Sequence, residues 1–251
     1  MSNAGFQDHF GPQANAYRQF RPNYPAQLFE ALAAACDGHE LAWDCATGSG
    51  QAALPLARFY ESVLATDASA KQLHNVAHAD AVYFVQAPAE APCLKPASVD
   101  LLVVAQALHW FRLPTFFAVA KSVLKRDGVF AAWTYNLVTV DDAIDPLLNH
   151  FYHNTLGAYW PAERGLVESG YADIAIPFDT LELGEFAMTA KWNQEELCGY
   201  LSTWSAVQHY KEDTSNDPLP DLRAQLIHVW GDKNETREVS WPLSIKAGIS
   251  R

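Results

Sequence analysis

The sequence LAWDCATGSG at residues 41–50 decides the fold class. An apolar run reaches an acidic residue, Asp44, and breaks into a loop with Gly48 and Gly50 before an apolar helical pattern resumes at residues 51–60. This order predicts a strand, a tight turn and the start of a helix. Glycine permits positive φ and close approach of a ligand, and the free N–H groups of a helix start favour a negative group. The stretch therefore predicts a site for a nucleotide-like molecule.

Strands and helices alternate after this stretch. Apolar and β-branched runs predict strands at residues 62–66, 81–85, 99–104 and 129–134. Helices are predicted at residues 69–77, with Ser69 as the N-cap, and at 116–124, with a turn at Asp127-Gly128. This alternation predicts an α/β fold with a doubly wound, mostly parallel sheet. Such sheets bind ligands beyond the carboxyl ends of their strands.

We predict three parts in the chain. Residues 1–36 form an N-terminal helical segment that covers the site, residues 37–136 form the cofactor-binding core, and residues 137–251 complete the sheet and supply a cap over the substrate. Proline and glycine positions predict helices at residues 12–21 and 25–36. In the last part we predict helices at 145–156, 194–203 and 219–230, one or two strands within 174–188, and a final antiparallel edge strand at 239–245.

Composition narrows the class of protein. The 251 residues are 49% hydrophobic and 18% charged, and the formal net charge is −12. This balance argues against nucleic acid or an anionic membrane as a partner, because phosphate groups are bound mainly by Lys and Arg. The four cysteines lie far apart without C-x-x-C spacing, which favours reduced thiols in the cytoplasm, and no histidine stands in a metal-ligand pattern. We expect no metal, no leader and no membrane span.

The glycine loop allows two kinds of ligand. Residues 48–53 satisfy G-x-G-x-x-A, and Asp67 follows at a distance that suits a ribose, so a dinucleotide site is allowed. Asp44 argues against it, because an acid before the glycines meets a pyrophosphate unfavourably. A ligand with a positive amino group and a single carboxylate suits Asp44 better.

The same residues resemble the class I S-adenosylmethionine-dependent methyltransferases. Their first motif, acid-x-Gly-x-Gly-x-Gly, stands here at residues 44–50 with Ala46 in place of the first glycine; Asp67 matches the ribose-binding acid, and residues 86–90 and 124–129 match the adenine-side loop and the turn before the fifth strand. The resemblance implies a Rossmann-like sheet of seven strands with the last antiparallel. It also implies S-adenosyl-L-methionine as cofactor, bound by Asp44, Ala46, Thr47, Gly48, Gly50, Asp67, Ala68, Ala89, Glu90, Gln106 and Ala107.

Finer features are similar to the type 11 subgroup that contains trans-aconitate methyltransferase. They are Tyr17 with residues 21–25, residues 106–111, and residues 203–205. The implied reaction is methyl transfer to an oxygen or nitrogen of a small molecule, with a carboxylic acid as one option, by a monomer or homodimer. A nicotinamide-dependent oxidoreductase and a non-catalytic S-adenosylmethionine-binding protein remain as alternatives.

Candidate residues for the acceptor side lie near predicted strand ends and in the aromatic C-terminal part. His109 follows the fourth strand and is the candidate base or hydrogen-bonding partner. Arginines suit a carboxylate, and aromatic rings suit a wall around a sulfonium and a substrate. The candidate substrate-binding residues are Tyr17, Arg18, Arg21, Tyr24, Trp110, Tyr135, Trp204 and Tyr210.

Overall fold

The computed structural model describes residues 22–74, 76, 79–232 and 234–251, which form a mixed eight-stranded sheet with helices on its faces. The strands are β1 Leu41–Cys45, β2 Ser62–Asp67, β3 Val82–Gln86, β4 Val99–Ala105, β5 Leu124–Thr134, β6 Asp179–Thr180, β7 Phe186–Trp192 and β8 Arg237–Ile249. Their order is β3-β2-β1-β4-β5-β8-β6, and β7 pairs with β8. Strands β1 to β5 are parallel, which confirms the doubly wound class.

The central strands are apolar because both faces of the sheet are covered. Six of the seven residues of β4 are buried. Leu101 and Val103 belong to one buried cluster, whereas Leu102 and Val104 belong to another. This alternation follows from the two-residue period of a strand, which turns successive side chains to opposite faces.

Short helices cover the sheet and build the C-terminal part. They are α1 Ala26–Ala34, α2 Ala53–Leu56, α3 Ala70–Leu73, α4 Leu113–Val123, α5 Asp145–His150, α6 Arg164–Glu168, α7 Gln194–Ser202, α8 Ser205–Thr214 and α9 Leu219–Trp230. Helix α5 continues as a π-helical turn at Phe151–Thr155, and a 3₁₀ turn at Leu108–Trp110 follows β4. None of the helices in the described ranges is long and apolar enough to cross a membrane.

Several predicted elements differ from those observed. The helix predicted at 51–60 is α-helical only over Ala53–Leu56, where Pro55 has no N–H to donate to the preceding turn. The turn at Asp127-Gly128 lies inside β5 as an irregularity in its pairing with β4, and Asp127 has φ of 63°. Helix α3 spans only Ala70–Leu73, and the predicted helix at 12–21 lies outside the described residues.

The last strand shows the largest difference from prediction. We predicted an edge strand at 239–245, but β8 runs from Arg237 to Ile249 and has neighbours on both sides. Its first half pairs with β7 and its second half with β5 and β6, all antiparallel. The sheet therefore has eight strands rather than seven.

Candidate cofactor and acceptor site

The glycine loop after β1 has the left-handed backbone that its sequence requires. Ala46, Gly48 and Gly50 have φ of 59°, 55° and 82°. In the part of the chain that the structure describes, a Cβ at Gly48 would meet nothing within 4 Å, whereas one at Gly50 would lie 3.1 Å from Cζ of Phe84. Gly50 is thus needed for packing, and Gly48 borders open space. A ligand can approach the backbone closely at Gly48.

Asp67 ties this loop to the end of β2. Its Oδ2 accepts a hydrogen bond from the Gly48 N–H at 2.9 Å, and its Oδ1 accepts one from the Ser69 N–H at 2.8 Å. Ser69 stands at the N-cap of α3, as predicted, but its side chain makes no capping hydrogen bond. The Asp67 carboxylate stabilises this turn instead, by accepting the hydrogen bond from the Ser69 N–H. The carboxylate retains lone pairs for ribose hydroxyls.

Asp44 is buried with an unsatisfied carboxylate oxygen. Its Oδ2 accepts a hydrogen bond from the Thr47 hydroxyl at 2.5 Å, while no partner for Oδ1 lies within the described chain. Burial raises the pKa of Asp44 to about 7, against the lowering effect of the Thr47 hydrogen bond. A cationic amino group beside Oδ1 would satisfy this atom and lower that pKa.

The glycine loop and Asp44 fit S-adenosylmethionine as the cofactor. The open space at Gly48 accommodates the ligand, and the buried Oδ1 of Asp44 suits its amino group. Because β2 lies between β1 and β3, Asp67 lies on the β3 side of Asp44, where we expect the ribose and then the adenine of the cofactor.

Residues predicted to border the adenine lie after β3. Glu90 accepts a hydrogen bond from the Arg112 N–H at 3.1 Å and forms an ion pair with its Nε at 3.6 Å. The Ala68 carbonyl accepts a hydrogen bond from the Gln86 amide at 3.1 Å, and Ala89 is buried. Their contacts with adenine remain predictions.

Gln106 connects the ends of β4 and β5. It has φ of 56°, and its Nε2 donates to the Tyr135 carbonyl at 2.9 Å while its Oε1 accepts from the Tyr135 N–H at 3.2 Å and from the Thr134 hydroxyl. Its amide is therefore engaged with β5, and Ala107 beside it is buried. A contact of Gln106 with the cofactor remains a prediction.

His109 lies on the 3₁₀ turn after β4. Its Nδ1 is 2.8 Å from the hydroxyl of buried Tyr171, and its ring centroid is 4.7 Å from that of Trp110. Burial, and secondarily the positive charge of Arg164, lowers the pKa of His109 to about 3. The imidazole is therefore neutral at physiological pH and a weak base. This favours hydrogen bonding over general-base catalysis.

The other predicted acceptor residues are distributed between the core and the cap. Tyr24 packs edge-on against Trp133 at 5.3 Å, and Tyr135 is also buried in the core. Trp110 is 38% exposed beside His109. Trp204 lies in an aromatic cluster of the cap, and Tyr210 packs on Tyr159 at 5.0 Å. Tyr17, Arg18 and Arg21 lie outside the described residues.

Sequence reasoning missed Arg164. This residue begins α6, and its Nε donates to the Tyr152 hydroxyl at 2.6 Å and its Nη2 to Asn136 Oδ1 at 2.8 Å. The guanidinium lies 4.8 Å from the Trp160 ring centroid and 5.4 Å from that of Tyr152. Arg164 stands at no strand end and in no motif, so only the dense aromatics around it gave a signal.

Comparison with known proteins defines the class. Residues 43–132 match the family model for a methyltransferase domain, and the chain belongs to the class I S-adenosylmethionine-dependent methyltransferases of the type 11 kind. A Dictyostelium discoideum protein named as a methyltransferase is 32% identical, covering 90% of this chain and 87% of that protein. Saccharomyces cerevisiae CRG1, named as an S-adenosylmethionine-dependent methyltransferase, is 24% identical, and the match covers 92% of this chain and 91% of that protein.

A solved structure agrees with these relatives. A type II methyltransferase from Anaeromyxobacter dehalogenans shares 41% identity and a TM-score of 0.87, covering 92% of this chain and 98% of that one. The protein is therefore an enzyme that transfers a methyl group from S-adenosylmethionine. The oxidoreductase and the non-catalytic binding protein are set aside on this evidence.

Proposed function

We propose that the methyl acceptor is a small carboxylic acid and that the methyl group is transferred to its oxygen. The observation that carries the proposal is the partly buried His109, whose Nδ1 lies 2.8 Å from the Tyr171 hydroxyl and whose pKa is lowered to about 3 by burial. A phenol or an amine needs a base to remove its proton, whereas a carboxylate is already ionised at neutral pH. The acceptor side of the site suits a nucleophile that needs no base.

The residues of the chain act by binding and positioning. When bound, S-adenosylmethionine supplies an electrophilic methyl group on its sulfonium. Asp44 holds the amino group, the backbone around Gly48 holds the methionine part, and Asp67 holds the ribose. Fixing both reactants in line recovers about 7–11 kcal/mol of barrier, which makes orientation the main contribution of this chain.

The transfer balances without a proton acceptor. A lone pair of the carboxylate oxygen forms the new O–CH₃ bond while the S–CH₃ bond breaks and its electron pair returns to sulfur. The positive charge of the sulfonium and the negative charge of the carboxylate are both lost. Excluding water favours this neutralisation, because opposite charges attract more strongly in a low-dielectric site. We propose that Trp110 and the aromatic residues of the C-terminal part exclude it.

The proposed partners follow from the same features. The acidic charge and the aromatic C-terminal part favour a small acceptor over nucleic acid or a membrane surface. We also propose that the protein is a monomer or homodimer. All four cysteines are free thiols, three of them buried, which supports work in the reducing cytoplasm.

An acceptor screen tests the proposal. Small carboxylic acids, each paired with its primary amide and its amine analogue, are incubated with the enzyme and S-adenosylmethionine, and S-adenosylhomocysteine and the methylated product are measured by mass spectrometry. We expect methyl esters from one or more acids and kcat/KM that does not rise between pH 8 and 10. Turnover of amines or phenols alone, rising toward the acceptor pKa, would contradict the proposal.

A further inference from the structure

We propose that Arg164 binds a carboxylate of the methyl acceptor and selects anionic acceptors. This inference rests on the proposed function and assigns its substrate recognition to one side chain. The guanidinium is fixed by Tyr152 and Asn136, lies against Trp160 and Tyr152, and stands beside the turn that carries His109.

The hydrogen bonds of Arg164 leave donors for a ligand. Its Nε is bound to the Tyr152 hydroxyl and its Nη2 to Asn136, and no described residue accepts a hydrogen bond from its Nη1. Both accepting groups are neutral, so they orient the guanidinium without neutralising it. A carboxylate oxygen at Nη1 would supply the charge-assisted bond that the arginine lacks, and the second oxygen would stay available for methylation.

The lack of an ion pair also distinguishes Arg164 from most other arginines in the described ranges. Arg223, Arg237 and Arg251 each form an ion pair with a carboxylate. No such pair within 4.0 Å is found for Arg164 among the described residues. The nearest acid in its network is Glu168, which accepts a hydrogen bond from Tyr152 at 2.7 Å and so lies beyond the tyrosine.

Arg164 lies near the edge of the sheet where we expect the acceptor to bind. Asn136, which accepts a hydrogen bond from Arg164, follows β5 by two residues, and the turn that carries His109 follows β4, so both lie at the carboxyl edge of the sheet. The cofactor residues Asp44 and Asp67 end β1 and β2 at the same edge. An acceptor held by Arg164 would therefore lie at the ends of β4 and β5, beside the strands that carry Asp44 and Asp67.

The aromatic surroundings explain why a lysine is a poor substitute. A planar guanidinium stacks on rings and donates in fixed directions, whereas an ammonium is compact and strongly hydrated. We expect Arg164→Lys to keep the charge but lose the orientation. Arg164→Gln loses the charge and keeps a planar amide that can still reach one neutral partner.

Calorimetric titration tests the assignment. Acetate, succinate, citrate and benzoate, and the primary amide of each, are titrated into wild type, Arg164→Gln, Arg164→Lys and Arg223→Gln, all saturated with S-adenosylhomocysteine. We expect at least one acid to bind wild type, with a Kd about 10–100 times higher in Arg164→Gln, partly recovered in Arg164→Lys and unchanged in Arg223→Gln. The amides should bind all four proteins equally weakly.

Two controls keep the result interpretable. Thermal melting and S-adenosylhomocysteine affinity must be retained by a variant before its acid binding is compared, and Arg164→Lys provides the test if Arg164→Gln fails to fold. Acid binding that persists in a folded Arg164 variant, or no binding of any acid to wild type, overturns the assignment. Carboxylate methylation that does not depend on Arg164 overturns this inference alone, whereas methylation of amines only, with acid binding still dependent on Arg164, overturns only the proposed function.

Discussion

Asp44 lowers the stability of the free protein at neutral pH, whereas we expect it to strengthen the binding of the cofactor. Its carboxylate is buried, lacks a partner at Oδ1 within the described chain, and has a pKa of about 7 because of burial. An aspartate with a folded-state pKa above its unfolded value binds more protons when folded. Its contribution to stability is therefore most favourable below about pH 4 and is lost as the pH rises toward 7.

The protonation of Asp44 gives a prediction about binding. The amino group of S-adenosylhomocysteine is expected to need the carboxylate, so binding below pH 7 should release a proton. Titration at pH 6 in buffers of different ionisation enthalpy should show release approaching one proton, falling to zero near pH 8.5. Proton uptake at pH 6, or none at either pH, would contradict the role of Asp44.

Replacing this residue separates its two effects. Asp44→Asn removes the buried charge and should raise the Tm of the free protein at pH 8 by a few degrees, while S-adenosylhomocysteine affinity falls at least 100-fold. Circular dichroism and calorimetry measure the two quantities. Asp80→Asn, at an exposed position, serves as the control and should change neither. A lower Tm with intact affinity would show that Asp44 is structural.

Ala46 carries backbone strain where the motif of the family has glycine. With φ of 59°, an alanine costs about 1–2 kcal/mol, which exceeds the entropy cost of about 0.5–1 kcal/mol for glycine. Ala46→Gly should stabilise the protein by about 0.5–1 kcal/mol in urea unfolding. Ala31→Gly, inside α1, should instead destabilise it by about 1 kcal/mol. Equal destabilisation by both changes would refute the strain.

At the level of elements, the sequence predicted best where one pattern dominates. The apolar run of β4 and the periodic pattern of α9 were located closely, because burial on both faces or on one helix face is encoded by local composition. The long strand β8 was not, since its pairing depends on β5, β6 and β7, which are distant in sequence. Helix α8 was missed because it is rich in polar residues and buries only Ala206 and Val207.

For the same reason, the cofactor side of the site could be predicted from the sequence, whereas the acceptor side could not. Asp44, the glycine loop and Asp67 lie at strand ends and follow a motif, so sequence alone brought them together, as the hydrogen bonds of Asp67 show. The proposed acceptor side combines α6, the π-helical turn at Phe151–Thr155 and the residues after β5. No local pattern places Arg164 beside Asn136, which is why that contact needed the structure.

Helix α7 gives a prediction at the scale of one element. Its N-cap Asn193 accepts a hydrogen bond from the Glu196 N–H at 3.0 Å, and Glu196 accepts one from the Asn193 N–H at 2.8 Å, which is a capping box. Asn193→Ala should lower the free energy of unfolding by about 1 kcal/mol. Asn149→Ala, an exposed position in α5, should change it by less than about 0.5 kcal/mol. Equal effects in urea unfolding would refute the cap.

At the scale of the whole molecule, β8 connects the core to the cap. Its first half pairs with β7 and carries Trp241, whose Nε1 donates to the Tyr200 hydroxyl of α7 at 3.1 Å. Its second half pairs with β5 over residues 244–249. Because one strand belongs to both regions, loss of one region exposes apolar surface of the other, and the two should unfold together.

We therefore predict that the protein unfolds in a single cooperative transition. Near-UV circular dichroism reports the packed aromatic residues, both the cluster around Trp160 and Trp204 and the core residues Trp43 and Trp133. Far-UV circular dichroism reports the helices and strands, and both signals should give one Tm in the free protein. S-adenosylhomocysteine at 100 times its Kd contributes about 2.7 kcal/mol, so both midpoints should rise together by about 5–10 °C. If the near-UV transition came first and did not move with ligand, the cap would be an independent unit, and its aromatic residues would not be held in place by the cofactor site.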